Sequence, residues 1–166
     1  MKKYAYFTGL GLLTVVLMLT GCDRFFKSVD QMFQAAEALR NEGKLQAAIE
    51  QLNTIVTEHR DHERAGEAQY LIAEIYYRDL KDFKRAVANY RKIGEWFPKS
   101  EQIPYALFME GFIYANVLSD FSAADTIYQN FLNRFPEHEL APSVKFELKY
   151  LGKDIDEIPE LKHIAS

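Results

Sequence analysis

The sequence predicts an all-α protein, a stack of antiparallel helix pairs closed by a lone capping helix. Three observations lead there. From Met32 onward the same kinds of residue recur every 38 positions without a gap. Inside each period the apolar residues fall three or four apart along two successive stretches, the spacing of one face of a helix. Prolines and short polar turns stand where each of those stretches should end.

The chain begins with Lys2 and Lys3, followed by an uncharged run from Tyr4 to Thr20 and a single cysteine, Cys22. A basic start, an apolar middle and small residues at the cut are the layout of a secretory signal, predicted over residues 1–21. Leu19-Thr20-Gly21-Cys22 resembles the lipobox of bacterial lipoproteins. The resemblance implies cleavage before Cys22 and acylation of its thiol and new amino group. An uncleaved anchor is a rival reading, although the run of 17 residues is short of the roughly 20 a spanning helix needs. A soluble secreted chain in which the cysteine has no role is the other.

Residues 22–28 then form a lipidated tether, in which Phe25 and Phe26 are apolar enough to enter lipid or the first helix pair. Three helix-pair units follow at about 29–62, 63–100 and 101–138. First helices carry Met32, Ala35 and Ala38 in unit one, Tyr70, Ala73 and Tyr76 in unit two, and Phe108, Gly111 and Tyr114 in unit three. Second helices carry Leu45, Ala48, Leu52 and Ile55, then Phe83, Ala86, Tyr90 and Ile93, then Phe121, Ala124, Tyr128 and Phe131. The small residues mark where two axes must come within the usual 8–10 Å. The aromatics beside them are expected to fill the space between one unit and the next. Arg60, Pro98 and Pro136 close the units, and Pro104 and Pro142 are tolerated in the first turn of the helix that follows. A capping helix is predicted at 139–151, stopped by Gly152. A polar tail, 152–166, is expected to lie loosely along the last unit. Residues 29–151 thus make one domain.

A two-helix unit with small, large and aromatic positions and a terminal proline resembles the tetratricopeptide repeat, TPR. The family implies a right-handed solenoid. Its usual period is about 34 residues. The excess here lies in Arg78-Asp79-Leu80-Lys81 and in Lys99 to Gln102, and Met32, Tyr70 and Phe108 replace the family's first-helix tryptophan. With the lipobox in front, the order of parts resembles the BamD-type lipoproteins of outer-membrane assembly. Trp96-Phe97-Pro98-Lys99-Ser100 and Arg134-Phe135-Pro136 are the proline-ended units that carry this likeness. Those proteins usually hold about five repeats, whereas this chain holds three and a half.

Composition excludes several functions. The formal charge is −4, and removing a signal that holds two lysines and no acid takes it to −6. An acidic body is a poor partner for nucleic acid or for anionic lipid, so membrane attachment falls to acyl chains on Cys22. Nucleophile elbows, glycine-rich phosphate loops and HExxH motifs are missing from the chain. His59 and His62 beside Asp61 and Glu63 read as linker chemistry rather than a metal site, as does His138. No enzyme, cofactor, metal or small-molecule substrate is expected.

In TPR proteins the first helices line a groove that holds an extended peptide or a partner's helix. Carried over residue by residue, the groove comprises Phe33, Ala36 and Arg40, then Leu71, Glu74, Tyr77 and Arg78, then Met109, Phe112 and Asn116, with Tyr105 at its edge. Packing of Leu71, Met109 and Phe112 against their own neighbours is the alternative. Arg40, Arg78 and Asn116 share one register position and suit a carboxylate clamp. The resemblance implies a lipid-anchored scaffold facing the periplasm, binding envelope proteins or peptides in outer-membrane assembly. A factor coordinating cell division or peptidoglycan machinery, or a secretion-accessory lipoprotein, fits the same residues. The outer membrane is the expected site, but Asp23 after the cysteine leaves the inner membrane open.

Overall fold

The structure is a computed structural model that describes residues 28–159. The signal, Cys22, Asp23, Phe25, Phe26 and the end of the tail from residue 160 lie outside the described residues. Helices run over Val29–Asn41 (α1), Leu45–Glu58 (α2) and Ala65–Glu74 (α3), the last extended by a π-helical turn at Ile75–Asp79. Phe83–Trp96 (α4), Ile103–Asn116 (α5), Phe121–Arg134 (α6) and Ala141–Lys149 (α7) follow. Among the described residues there is no strand. Each helix packs on the one before it and the one after it, the one-dimensional contact pattern of a helical repeat.

The turns inside the pairs repeat as closely as the helices. Gly43, Lys81 and Ser119 stand 38 residues apart and all take positive φ, at 74°, 53° and 54°. At the first turn the Gly43 and Lys44 N–H groups donate to Arg40 and Leu39 carbonyls at 2.9 Å, a Schellman closure. The later turns close wider, with Asp82 donating to the Tyr76 carbonyl and Asp120 to that of Tyr114, both at 2.9 Å. Those two aspartates then cap α4 and α6, each carboxylate accepting a backbone N–H three residues on at 3.0 Å.

At the opposite edge, the linkers between pairs share a device of their own. His62 Nδ1, Ser100 Oγ and His138 Nδ1 stand at one register position, and each accepts the N–H two residues on at 3.2 Å. The imidazoles are turn acceptors. Among the described residues no three His, Cys, Asp or Glu side chains are grouped to hold a metal.

The core runs along the stack as three clusters, each filling the space between one pair and the helix that follows it. Tyr76 joins the first to the second, and Leu107, Tyr114 and Phe135 join the second to the third. Several aromatics do a different job from the one expected. Tyr70 meets Tyr90 edge-on at 5.4 Å and Phe108 meets Tyr128 at 6.5 Å, both inside one pair rather than between pairs. They sit there because the small residue at the crossing leaves a ring-sized space: a Cβ on Gly111 would lie 2.4 Å from the Tyr128 ring. The tail is also held more firmly than its polarity suggests, since Ile158 is buried.

Two substitutions test this packing. Gly111→Ala should lower stability by about 1–3 kcal/mol, because Tyr128 is fully buried and has nowhere to move. Lys81→Gly should raise stability by up to about 1 kcal/mol, by removing left-handed strain against a smaller gain in unfolded-chain entropy. Urea denaturation of the two variants checks both signs.

Candidate functional site

The first helices α1 and α3 enclose a cavity of about 270 Å³. Phe33 and Ala36 from α1, Leu52 from α2, and Leu71 and Ile75 from α3 and its π-turn form its apolar part. Glu37, Arg40, Arg64 and Glu67 form the polar part. Four residues expected to face one groove, Phe33, Ala36, Arg40 and Leu71, therefore meet here.

Arg64 organises this end of the molecule. Its guanidinium stacks over the Phe33 ring at 3.9 Å. It also donates to Glu67 through Nε at 2.7 Å and through a second nitrogen at 3.0 Å, and pairs with Asp30 at the start of α1. The paired carboxylates hold the arginine well above its ordinary pKa, the Glu67 hydrogen bond first among the causes. A fixed cation over a buried ring joins linker, α1 and α3 in one place.

The remaining expected groove residues are arranged otherwise. Glu74 is buried, accepts the Tyr90 hydroxyl at 2.7 Å and pairs with Arg78 Nε at 2.7 Å. Burial first, and then this carboxylate, pushes the Tyr90 phenol far up, and burial with Glu74 takes Tyr70 up to about 12. Glu74 is thus an internal acceptor, not an open contact. Tyr77 packs edge-on against Phe83 at 5.9 Å. Met109 packs on the second core cluster, and Phe112 lies half-buried beside Phe108 at 6.2 Å. Tyr105 leaves the groove for the linker edge, where its hydroxyl donates to Glu139 at 2.6 Å and its ring meets His138 at 5.2 Å. The three clamp positions are each engaged within the chain: Arg40 with Asp79 at 2.7 Å, Arg78 with Glu74, and Asn116 with the Phe112 carbonyl at 3.2 Å. These pairs use the Nε of Arg40 and of Arg78, and a guanidinium has further N–H donors that a ligand carboxylate could take.

A second cleft, of about 480 Å³, opens between α4, α5 and α6. In it the Arg91 guanidinium donates to Glu110 Oε1 at 2.7 and 3.1 Å and to the Tyr114 hydroxyl at 3.2 Å. Glu110 is buried, and that burial raises its pKa despite the arginine beside it. Sequence reading missed both Arg64 and this pair, because neither recurs: 38 residues from Arg64 stands Gln102, and 38 before Glu110 stands Ile72. An acid inside the apolar face of α5 was the one available signal.

Among the described residues no helix is long and apolar enough to cross a membrane. Residues 27–157 match the family model YfiO, described as outer membrane lipoprotein. No curated protein matches the chain.

Glu110 provides a pH test of the cleft. A carboxyl whose folded pKa lies above its unfolded value of 4.5 binds more protons folded than unfolded. It favours the fold below that value, and the contribution is lost as pH rises through the folded pKa. Glu110→Gln should therefore gain stability relative to the native chain as pH is raised from 4.5, in denaturation series at stepped pH. A difference independent of pH would show that the carboxyl is not raised.

Proposed function

The chain belongs to the YfiO family of outer membrane lipoproteins, and from that premise we propose that it is a lipid-anchored scaffold of the cell envelope. It is TPR-like and resembles the BamD-type proteins. In this reading Cys22 carries the acyl chains after cleavage of residues 1–21, residues 22–28 tether the stack, and residues 29–151 dock partner proteins. The scaffold has no catalytic role and faces the periplasm, in the service of outer-membrane protein assembly. Asp23 favours the inner membrane in enterobacteria, and the family description favours the outer one.

The observation that supports a docking role most directly is the cavity between α1 and α3. It combines an apolar floor with a fixed aromatic–arginine stack and a charged rim, the mixture that recognition surfaces favour. Its volume suits one or two side chains of a partner segment, so specificity would reside in an anchor residue. Leu71, which is only half-buried, is the floor position open to such an anchor.

A photo-crosslinking residue at Glu37, on the rim, should capture envelope proteins in living cells. The same residue at Asn133, exposed on α6 and away from the cavity, should not. Leu71→Ala should weaken the captured interaction by about 1–2 kcal/mol, the scale of a moderate interface contact. Equal capture from both positions would remove the cavity as the docking site.

A further inference from the structure

The only tryptophan of the chain stands on the surface. Trp96 ends α4 with 36 % of its area exposed, and two cations bracket it: Lys92 at 5.0 Å and Arg60 at 5.4 Å from the ring centre. Arg60 also lies 5.8 Å from the Phe97 ring, and Lys99 is exposed three residues further on. The other exposed large apolar residues are elsewhere. Leu80, Val117, Leu118 and Phe121 lie at the turns inside the pairs, on the opposite edge, and Phe146 is on α7.

Trp96 shares its edge with the start of the described chain. Asp30, in the first turn of α1, pairs with Arg64 in the linker that follows α2. Two residues on, Gly66 sits so close to the next linker that a Cβ there would lie 2.8 Å from Ser100 Cβ and 3.4 Å from Phe97 Cβ. The first turn of α1, the first linker and Trp96 therefore form one continuous strip. Between Cys22 and Ser28 the chain spans at most on the order of 20 Å. That is about the length of α1 itself at roughly 1.5 Å per residue, so a lipid on Cys22 would lie within one helix length of the edge at which α1 begins.

We propose that the edge carrying Trp96 rests on the lipid surface, with the indole in the interfacial region and Arg60, Lys92 and Lys99 among the headgroups. This inference rests on the lipid-anchored reading above. Indole is suited to that layer because one side of it is apolar and its N–H reaches water. Cations on long stems can keep their heads among phosphates while their methylenes cover the ring. Near the surface each adds modest attraction to anionic lipid, offset by the exposed Asp61, Glu63 and Glu101 on the same edge, so the indole and the acyl chains set the orientation. The occupant of this surface is thus a bilayer of mixed zwitterionic and anionic phospholipid.

Because Trp96 is the single tryptophan, its emission reports on this edge alone. The acylated full-length protein, purified from membranes, is reconstituted into vesicles of phosphatidylethanolamine and phosphatidylglycerol, with and without bromine on the acyl chains. The expected result is a blue shift of the emission on reconstitution and its quenching by the brominated lipid. Mass spectrometry of the N-terminal peptide separates the two ways of failing. An acylated, vesicle-bound protein whose emission neither shifts nor quenches would overturn the proposal and assign the surface to a protein partner. Absence of acyl mass on Cys22 would overturn the anchored reading and this inference with it.

Discussion

Two helices approach only as closely as the side chains at their crossing allow, and in each pair that limit is set by one small residue. Ala35, Ala73 and Gly111 occupy the position, facing Leu52, Tyr90 and Tyr128 one register step along the partner helix. The third pair takes the compromise furthest, with a glycine under a fully buried tyrosine ring. The consequences reach the hydroxyls. Tyr90 finds Glu74 as acceptor, but 38 residues later the place of Glu74 is held by Phe112, and the buried Tyr128 hydroxyl has no well-formed hydrogen bond, the Glu147 carboxylate being its neighbouring acceptor. A buried donor left unmet costs about 1–3 kcal/mol. The Glu147 carboxylate is close enough to join burial in raising the Tyr128 phenol above its ordinary pKa.

The same register position shapes the groove. Along the first helices it reads Ala36, Glu74, Phe112. Where it is alanine, a cavity remains between α1 and α3. Where it is glutamate, the side chain turns inward to Tyr90 and ties down Arg78. Where it is phenylalanine, the ring packs beside Phe108. A regular backbone therefore carries an irregular surface, and its cavity lies at the end of the stack where α1 begins. Charge follows the same logic, since Arg40, Arg64 and Arg78 all have carboxylate partners within the chain.

What could be read from the sequence was whatever repeats. Helix pairs, small crossing residues and proline-ended linkers recur three times, so each instance corroborates the others, and the helical fold followed from them. Single features carry no such support. Arg64 bridges three elements but resembles any charged linker residue in the sequence, and Glu110 is legible only as a polar interruption of an apolar face. The TPR resemblance implied a groove position for Glu74, and side-chain hydrogen bonding to a neighbouring helix is invisible to periodicity. Ile158 was lost in a polar context, where one apolar residue gives no pattern. The turn acceptors were hidden for another reason: His62, Ser100 and His138 perform one task with two chemistries, so residue type conceals their equivalence.

The number of helices per unit decides how the molecule meets its surroundings. Two antiparallel helices return the chain to the edge from which it came, so every linker joins the edge where α1 begins. Every turn inside a pair joins the other. An odd number would alternate the linkers between edges and scatter Trp96, the linker acceptors and the tether over both. With two, the contacts from Asp30 through Arg64 to Phe97 and Ser100 accumulate on one side. Arg40 with Asp79, and the close approach of Gly152 to Phe121, collect on the other. The apolar residues exposed on that far edge, Leu80, Val117, Leu118 and Phe121, lie about one helix length from the edge at which α1 begins.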